Sequence, residues 1–345
     1  GLCSLHCLPN SNQPNQFGIS SLTARKSSHE PLFDRRVIPR TAVESRWTAP
    51  GGLPIRRIDW LLPVGTCRGS LLFMPGRGDA YEKYLETLTY WSGRGWRVTA
   101  SDWRGQAGSG RLGEDGVTGH IDDFAIWVDD LAALWQQWCL STPAPHILVG
   151  HSMGGHLVLR ALAEARVDPD ASVLSAPMVD FIRHGVPAVL MHSAARFMAL
   201  IGDSRRQAWK WGEKPAVLPV DRIKLLTHDR DRYDDEVWWR DKRPEIAMGP
   251  GSWGWVAAAY ASTRLLARRG MLERVKSPVL LLSTDHDRLV SPGAIEKAAL
   301  RMPRGELLRF GAEARHELLR EGDPVRDRAL AAIDDFLDRV APVRD

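Results

Sequence analysis

The 345-residue sequence predicts an α/β fold, a mostly parallel central sheet with helices covering both faces. Two observations predict it. Short apolar and β-branched runs alternate with amphipathic helical patterns along most of the chain. One such run, residues 147–149, meets Gly150-His151-Ser152-Met153-Gly154-Gly155 and passes directly into the helical pattern of residues 156–162. A tight strand-to-helix turn of that kind lifts a serine hydroxyl above the carboxyl edge of a sheet. A side chain at Gly150 or Gly154 is expected to collide with the neighbouring strand or helix.

Taken in order, residues 55–62 read as an opening strand, 69–74 as a second and 96–100 as a third, with a helix over 81–91. Residues 122–140 place Phe124, Trp127, Val128, Leu131, Leu134, Trp135 and Trp138 at three- and four-residue spacing. That is an amphipathic helix, and its tryptophans are expected in the core. Residues 278–283 form a buried strand opened by Pro278, and 306–310 a short last strand. Asp323-Pro324 starts the final helix, with the aspartate expected as cap and the proline in the first turn.

Residues 180–272 are too long for a connection inside such a fold and are read as an inserted lid between core segments 47–179 and 273–343. The insertion holds Trp209, Trp211, Trp238, Trp239, Trp253 and Trp255, six of the 14 tryptophans, with dense charge over 229–243. These rings either line an apolar pocket or form a small core of the insertion itself. Residues 1–40 are polar, rich in Ser, Asn and Pro, and unpatterned before about Arg36; they are read as a flexible or non-native arm.

The net charge is +4, and the arm alone supplies +3 of it, which leaves a nearly neutral body without a basic stripe. Nucleic-acid binding has little support from that distribution. No apolar run approaches the roughly 20 residues that span a bilayer. Four cysteines, Cys3, Cys7, Cys67 and Cys139, show neither metal spacing nor a disulfide framework, which fits a reducing cytoplasm.

A longer set of motifs follows in order along the chain. It comprises Pro75-Gly76-Arg77-Gly78-Asp79 with Tyr81 and Tyr84, Asp102-Trp103-Arg104-Gly105-Gln106-Ala107-Gly108-Ser109-Gly110-Arg111, and Gly119-His120-Ile121-Asp122-Asp123-Phe124. Then come Asp129-Asp130-Leu131, the Ser152 turn, Ser175-Ala176-Pro177-Met178 and His316-Glu317-Leu318-Leu319. From about residue 47 to the C-terminus the chain resembles the bacterial lysophospholipase and monoacylglycerol-lipase branch of the α/β-hydrolases, a branch also labelled serine aminopeptidase. Residues 226–233 resemble the lid region of its lysophospholipase members. Pro75-Gly76 stands where many lipases have His-Gly, and Thr284 where the branch usually has glycine.

The resemblance implies an α/β-hydrolase fold with an inserted helical lid, and a nucleophile, acid and base in that chain order. Ser152 is the expected nucleophile and His316, in the loop after the last strand, the expected base. Asp287 is the preferred acid, with Asp285 and Asp180 as rivals. His151 is expected to pack away from the pocket. The backbone N–H groups of Met153 and Arg77 are the expected oxyanion donors. The Arg77 side chain either holds an acidic group or is a solvated loop arginine.

The implied activity is a serine carboxylic-ester hydrolase for lysophospholipids or monoacylglycerols, with no metal or organic cofactor. The alternatives are a general esterase for short-chain or aromatic esters and a non-catalytic binding protein. The expected partner is a lipid or small-molecule ester, with contact to a membrane surface through the lid. The expected location is the cytoplasm, at most peripheral to the inner membrane.

Overall fold

A computed structural model of the chain describes residues 33–62, 67–182, 185–210 and 222–342. Residues 1–32 of the expected arm, with Cys3 and Cys7, lie outside the described residues, as does Trp211.

The apolar runs become an eight-stranded sheet in the order β1-β2-β4-β3-β5-β6-β7-β8. Its strands are β1 (Ala42–Ala49), β2 (Leu53–Trp60), β3 (Gly69–Met74), β4 (Trp96–Ser101), β5 (His146–His151), β6 (Ala171–Ser175), β7 (Val279–Thr284) and β8 (Gly305–Phe310). β1 and β2 pair antiparallel, as do β2 and β4, and every pairing from β4 to β8 is parallel. Every residue of β3, β6 and β7 is buried. Because successive side chains point to opposite faces, that pattern requires cover on both sides.

The helices between these strands are α1 (Leu85–Gly93), α2 (Phe124–Ser141) and α3 (Met153–Ala163). Between β6 and β7, in the segment read as an insertion, lie α4 (Ala188–Leu200), α5 (Ile223–Leu226), α6 (Arg230–Lys242) and α7 (Trp253–Ala267). α8 (Pro292–Arg301) and α9 (Asp323–Val340) complete the fold. The α2 stripe is core as expected: Trp127 and Trp138 are fully buried, and the Trp138 indole donates to Thr99 Oγ1 at 2.9 Å. Asp123 caps α2 by accepting from the Ala125 N–H. No described helix is long and apolar enough to cross a membrane.

Several elements differ from the sequence reading. The strand expected at 55–62 starts at Leu53 and pairs with β1, which the pattern did not reveal. The helix expected at 81–91 opens as a 3-10 turn, Tyr81–Tyr84, before α1. Asp323 does not cap α9: Gly322 holds that position, because the Asp323 carboxylate accepts from Arg232 Nη2 at 2.7 Å. The end of the expected arm is anchored on α6, where Arg35 and Arg36 reach Asp235 at 2.5 and 2.7 Å. Cys67 and Cys139 are both free thiols.

The sheet order brings the carboxyl ends of β3, β5, β7 and β8 to one edge, where ligands of parallel sheets gather. The close contact there is between α3 and the loop after β3. A Cβ on Gly154 would lie 2.3 Å from the Pro75 carbonyl oxygen and 2.4 Å from that of Met74. Gly154→Ala must push backbone apart, and is expected to cost about 1–3 kcal/mol or more in a urea unfolding titration. A loss under about 0.5 kcal/mol would show that the two segments are not held at this separation.

Candidate active site

The turn after β5 places Ser152 at φ 52° and ψ −118°, a left-handed conformation that side chains seldom adopt. Its own N–H donates to the Ser175 carbonyl at 2.9 Å, which locks the turn onto β6. Gly150 and Gly155 make the turn possible, since a Cβ on Gly150 would sit 2.8 Å from the Gly155 Cα. The collisions expected at Gly150 and Gly154 are therefore real.

His316 reaches the serine from the loop after β8, with Nε2 2.9 Å from Ser152 Oγ. Its Nδ1 lies 2.7 Å from Asp287 Oδ2. The other Asp287 oxygen accepts from the N–H groups of Leu289 and Val290 at 2.8 and 3.0 Å. Asp285 is elsewhere: its side chain is 46% exposed and pairs with Arg309 at 2.7 Å. Asp180, after β6, accepts from the Phe181 N–H and lines a different cavity. Thr284, the residue that departs from the usual glycine, places its hydroxyl 3.0 Å from the carbonyls of both Gly311 and Ala314. It ties the Asp287 loop to the His316 loop.

The loop after β3 approaches from the other side. Gly76 N–H donates to Asp79 Oδ2 at 3.2 Å and Gly78 N–H to Gln106 Oε1 at 3.0 Å. The Arg77 N–H between them has no hydrogen-bond partner among the described residues. Met153 is the first residue of α3, where a backbone N–H has no intrahelical acceptor. The loop passes so near the turn that a Cβ on Gly76 would lie 3.1 Å from Ser152 Cβ.

Beneath the site lies an ion cluster that no local sequence pattern announces. The Lys83 side chain is buried and bonded to Asp79, to Glu317 at 2.6 Å and to Glu236 of α6 at 3.1 Å. Arg320 pairs with Glu317 and, at 3.3 Å, with Glu236. The Tyr84 hydroxyl adds a 2.9 Å bond to Asp79. Asp79, His151 and Glu317 lie close enough to share a metal ion, but the Lys83 ammonium already bridges both carboxylates and Arg320 pairs with Glu317.

His151 is not turned away from the pocket. It lines the same cavity as Ser152, 5.0 Å from the His316 ring, and is fixed by a 3.2 Å contact to the Ser175 carbonyl. Burial, and then the charge on His316, depress its pKa to about 4. Burial acts most strongly to depress His316, but the Asp287 carboxylate together with Glu317 and Asp79 outweighs it, and the net shift is upward from 6.5. A proton entering this site therefore settles on His316.

These groups open into a cavity of about 910 Å³, the size range of small-molecule sites. Its apolar wall includes Met178, Phe181, Leu225, Trp209, Trp255 and Tyr260, so two of the insertion's tryptophans face the cavity. Trp239 instead packs in the insertion, its indole bonded to the Arg35 carbonyl. The cations of the wall are Arg77, Arg222, Lys224 and Arg288. A hydroxyl bonded to an imidazole that is itself bonded to a carboxylate can become a nucleophile.

Fold and site together define the class, an α/β-hydrolase. The chain belongs to the family described as "Serine aminopeptidase, S33", whose model matches residues 65–323. It is 32% identical over 286 residues to lysophospholipase L2 of Escherichia coli K12, covering 78% of this chain and 80% of that protein. It is 30% identical over 255 residues to the monoacylglycerol lipase of Mycolicibacterium smegmatis, covering 74% and 82%. Among solved structures, a soluble variant of the Saccharomyces cerevisiae monoglyceride lipase shares the fold with a TM-score of 0.69 at 18% identity, over 88% of this chain and 96% of that one.

The electrostatics give a direct test. In an NMR titration of labelled histidines, His316 should titrate above 6.5, and above His151, which titrates near 4. In Asp287→Asn burial is opposed only by the charges of Glu317 and Asp79, and the His316 titration should fall below that of the wild type. No change in the variant would mean that Asp287 does not set this pKa.

Proposed function

We propose that the chain is a serine carboxylic-ester hydrolase that cleaves single-chain lipid esters, lysophospholipids or monoacylglycerols, through an acyl-enzyme on Ser152. The observation that carries this reading is the continuous path from Ser152 Oγ to His316 Nε2 at 2.9 Å and from His316 Nδ1 to Asp287 at 2.7 Å. The names of the E. coli and M. smegmatis relatives point to the same bond type.

His316 takes the Ser152 proton as Oγ attacks the ester carbonyl, and Asp287 holds the imidazole's tautomer and stabilises the imidazolium. The N–H groups of Arg77 and Met153 donate to the oxyanion of the tetrahedral intermediate. Collapse breaks the ester C–O bond, and His316 returns the proton to the departing alcohol. Water then attacks the acyl-enzyme with His316 again as base, releasing the fatty acid and restoring Ser152. No metal or organic cofactor enters these steps.

The aromatic and aliphatic wall suits an acyl chain. Residues 180–272 act as a lid in this reading. α4 supports contact of that lid with a lipid surface, because Leu190, Phe197 and Leu200 are 60, 62 and 79% exposed on a helix that buries only Ala195. A cytoplasmic enzyme peripheral to the inner membrane fits this surface. Peptide hydrolysis fits the cavity less well. Its two carboxylates beside the site, Asp79 and Glu317, are both held by Lys83, so neither is left to bind a substrate α-ammonium.

The test is a p-nitrophenyl ester series of increasing acyl length, with lysophosphatidylcholine, a monoacylglycerol and an aminoacyl p-nitroanilide alongside. Long-chain esters and both lipids should be cleaved, and the anilide should not. Preference for acetate with no lipid turnover would replace this reading with a general esterase. Ser152→Ala should lose at least about 10⁴-fold in kcat, and persistent cleavage would remove Ser152 from its role. Asp287→Asn should lose on the order of 10³–10⁴-fold, while Asp285→Asn, which removes only an exposed ion pair, should stay within about twofold. The reverse ranking would move the acid role to Asp285.

A further inference from the structure

The ester-hydrolase reading assigns a role to the Arg77 backbone but leaves its side chain unexplained. That guanidinium is in the cavity wall with most of its hydrogen-bonding capacity unused. Nη2 donates to the Gly249 carbonyl at 2.9 Å, while Nε is buried and has no partner among the described residues. No carboxylate pairs with it among the described residues. Asp79, two residues along the same loop, is committed to Lys83, Tyr84 and the Gly76 N–H. Of the two readings the sequence left for this side chain, a solvated loop arginine does not fit its buried Nε, and no carboxylate among the described residues is the acidic group it would hold.

The surroundings favour an anion and do not supply one. The guanidinium carbon stands 4.9 Å from the Trp255 ring centre and 5.5 Å from that of Trp209. Such faces hold a cation in place without neutralising it. Burial, followed by the charges of Arg222 and Arg111, depresses the Arg77 pKa to about 9. An arriving oxyanion would relieve both effects. Space is kept for this arrangement by two glycines that pair as a bridge, Gly119 and Gly251. A Cβ on Gly119 would lie 3.2 Å from Arg77 Nη2, and one on Gly251 would lie 2.9 Å from Trp255 and 3.0 Å from Trp209. Lys224 and the exposed Arg288 add positive charge to the same wall.

We propose that the Arg77 side chain is the specificity determinant of this site, binding a phosphate oxyanion on the alcohol side of the substrate, as in the head group of a lysophospholipid. A buried donor without a partner costs free energy in the unliganded protein, and that cost is recovered when the anion binds. The guanidinium presents a planar fork that suits phosphate oxygens. The loop that faces Ser152 thus carries the group that selects the head.

The proposal rests on the ester-hydrolase reading, and one experiment separates the two. Lysophosphatidic acid, lysophosphatidylcholine and a monoacylglycerol sharing one acyl chain are assayed with wild type, Arg77→Gln and Arg77→Lys. The quantity read is kcat/KM for each phospholipid divided by that for the monoacylglycerol, so any damage to the loop common to all three cancels. Both ratios should fall about ten- to hundredfold in Arg77→Gln, chiefly through KM, and recover in part in Arg77→Lys. Ratios unchanged within about twofold, or wild-type turnover confined to the monoacylglycerol, would overturn the assignment of Arg77 alone. Turnover of none of the three by wild type would remove the ester-hydrolase reading and this proposal with it. Inorganic phosphate added to the monoacylglycerol assay tests a free anion. Inhibition that Arg77→Gln abolishes, with unchanged lipid ratios, would assign the site to a small anion and overturn the lipid assignment.

Discussion

The backbone at Ser152, at φ 52° and ψ −118°, costs a residue with a side chain about 1–3 kcal/mol, and the surrounding structure must hold it there. Three contacts do so. The Ser152 N–H is bonded to Ser175 of β6, its carbonyl accepts from both His156 and Met178, and α3 begins at the next residue. The glycines at 150, 154 and 155 are the geometric condition for this, because strand, helix and the loop after β3 approach one another closer than a methyl group allows. The serine oxygen is consequently fixed in space, so the other groups of the site need only be brought to it.

Bringing them is the work of buried charge. Lys83 lies just before α1, Asp79 on the loop after β3, Glu317 beside His316 and Glu236 on α6 of the insertion. Their mutual bonds pull four separate segments together directly under the reactive groups. In a low-dielectric interior such a cluster is costly if incomplete, because removing one member strands the others. Here the acids are matched by Lys83, Arg320 and Arg222, and although burial acts to raise its pKa, Lys83 and Arg320 leave Glu317 ionised, with its pKa below the ordinary range. The negative charge of Glu317 and Asp79 adds to that of Asp287 in raising His316.

What the sequence revealed follows from the range of the interactions concerned. The Ser152 turn, the α2 stripe and the two loops bearing Asp287 and His316 are written in adjacent residues, and their positions could be read directly. Strand β1 was missed because six of its eight residues are not buried, which erases the alternation that marks a strand. The choice between Asp285 and Asp287 depends on which one the loop turns inward, and that is set by bonds to Leu289 and Val290 and by the pull of Arg309 on Asp285. Asp323 looked like a cap because Asp-Pro is a local signal, whereas Arg232, 91 residues away, is the stronger partner. The Lys83 cluster had no local signal at all. Its members lie in unrelated segments, and each one alone resembles an ordinary surface charge.

The loop after β3 joins these arguments. Its backbone is held by Asp79 and Gln106, and Asp79 is held by Lys83, so the position of the Arg77 N–H is set by the same ion cluster that surrounds His316. The Arg77 side chain leaves that rigid backbone and lies against Trp209 and Trp255, which belong to the insertion. One residue therefore links the core, where the proposed chemistry occurs, to the segment between β6 and β7. An anion bound at the guanidinium would strengthen the hold of that cation on a backbone already fixed beside Ser152. Head-group recognition and alignment of the carbonyl would then be a single event, because both act through a loop with little freedom to respond to one without the other.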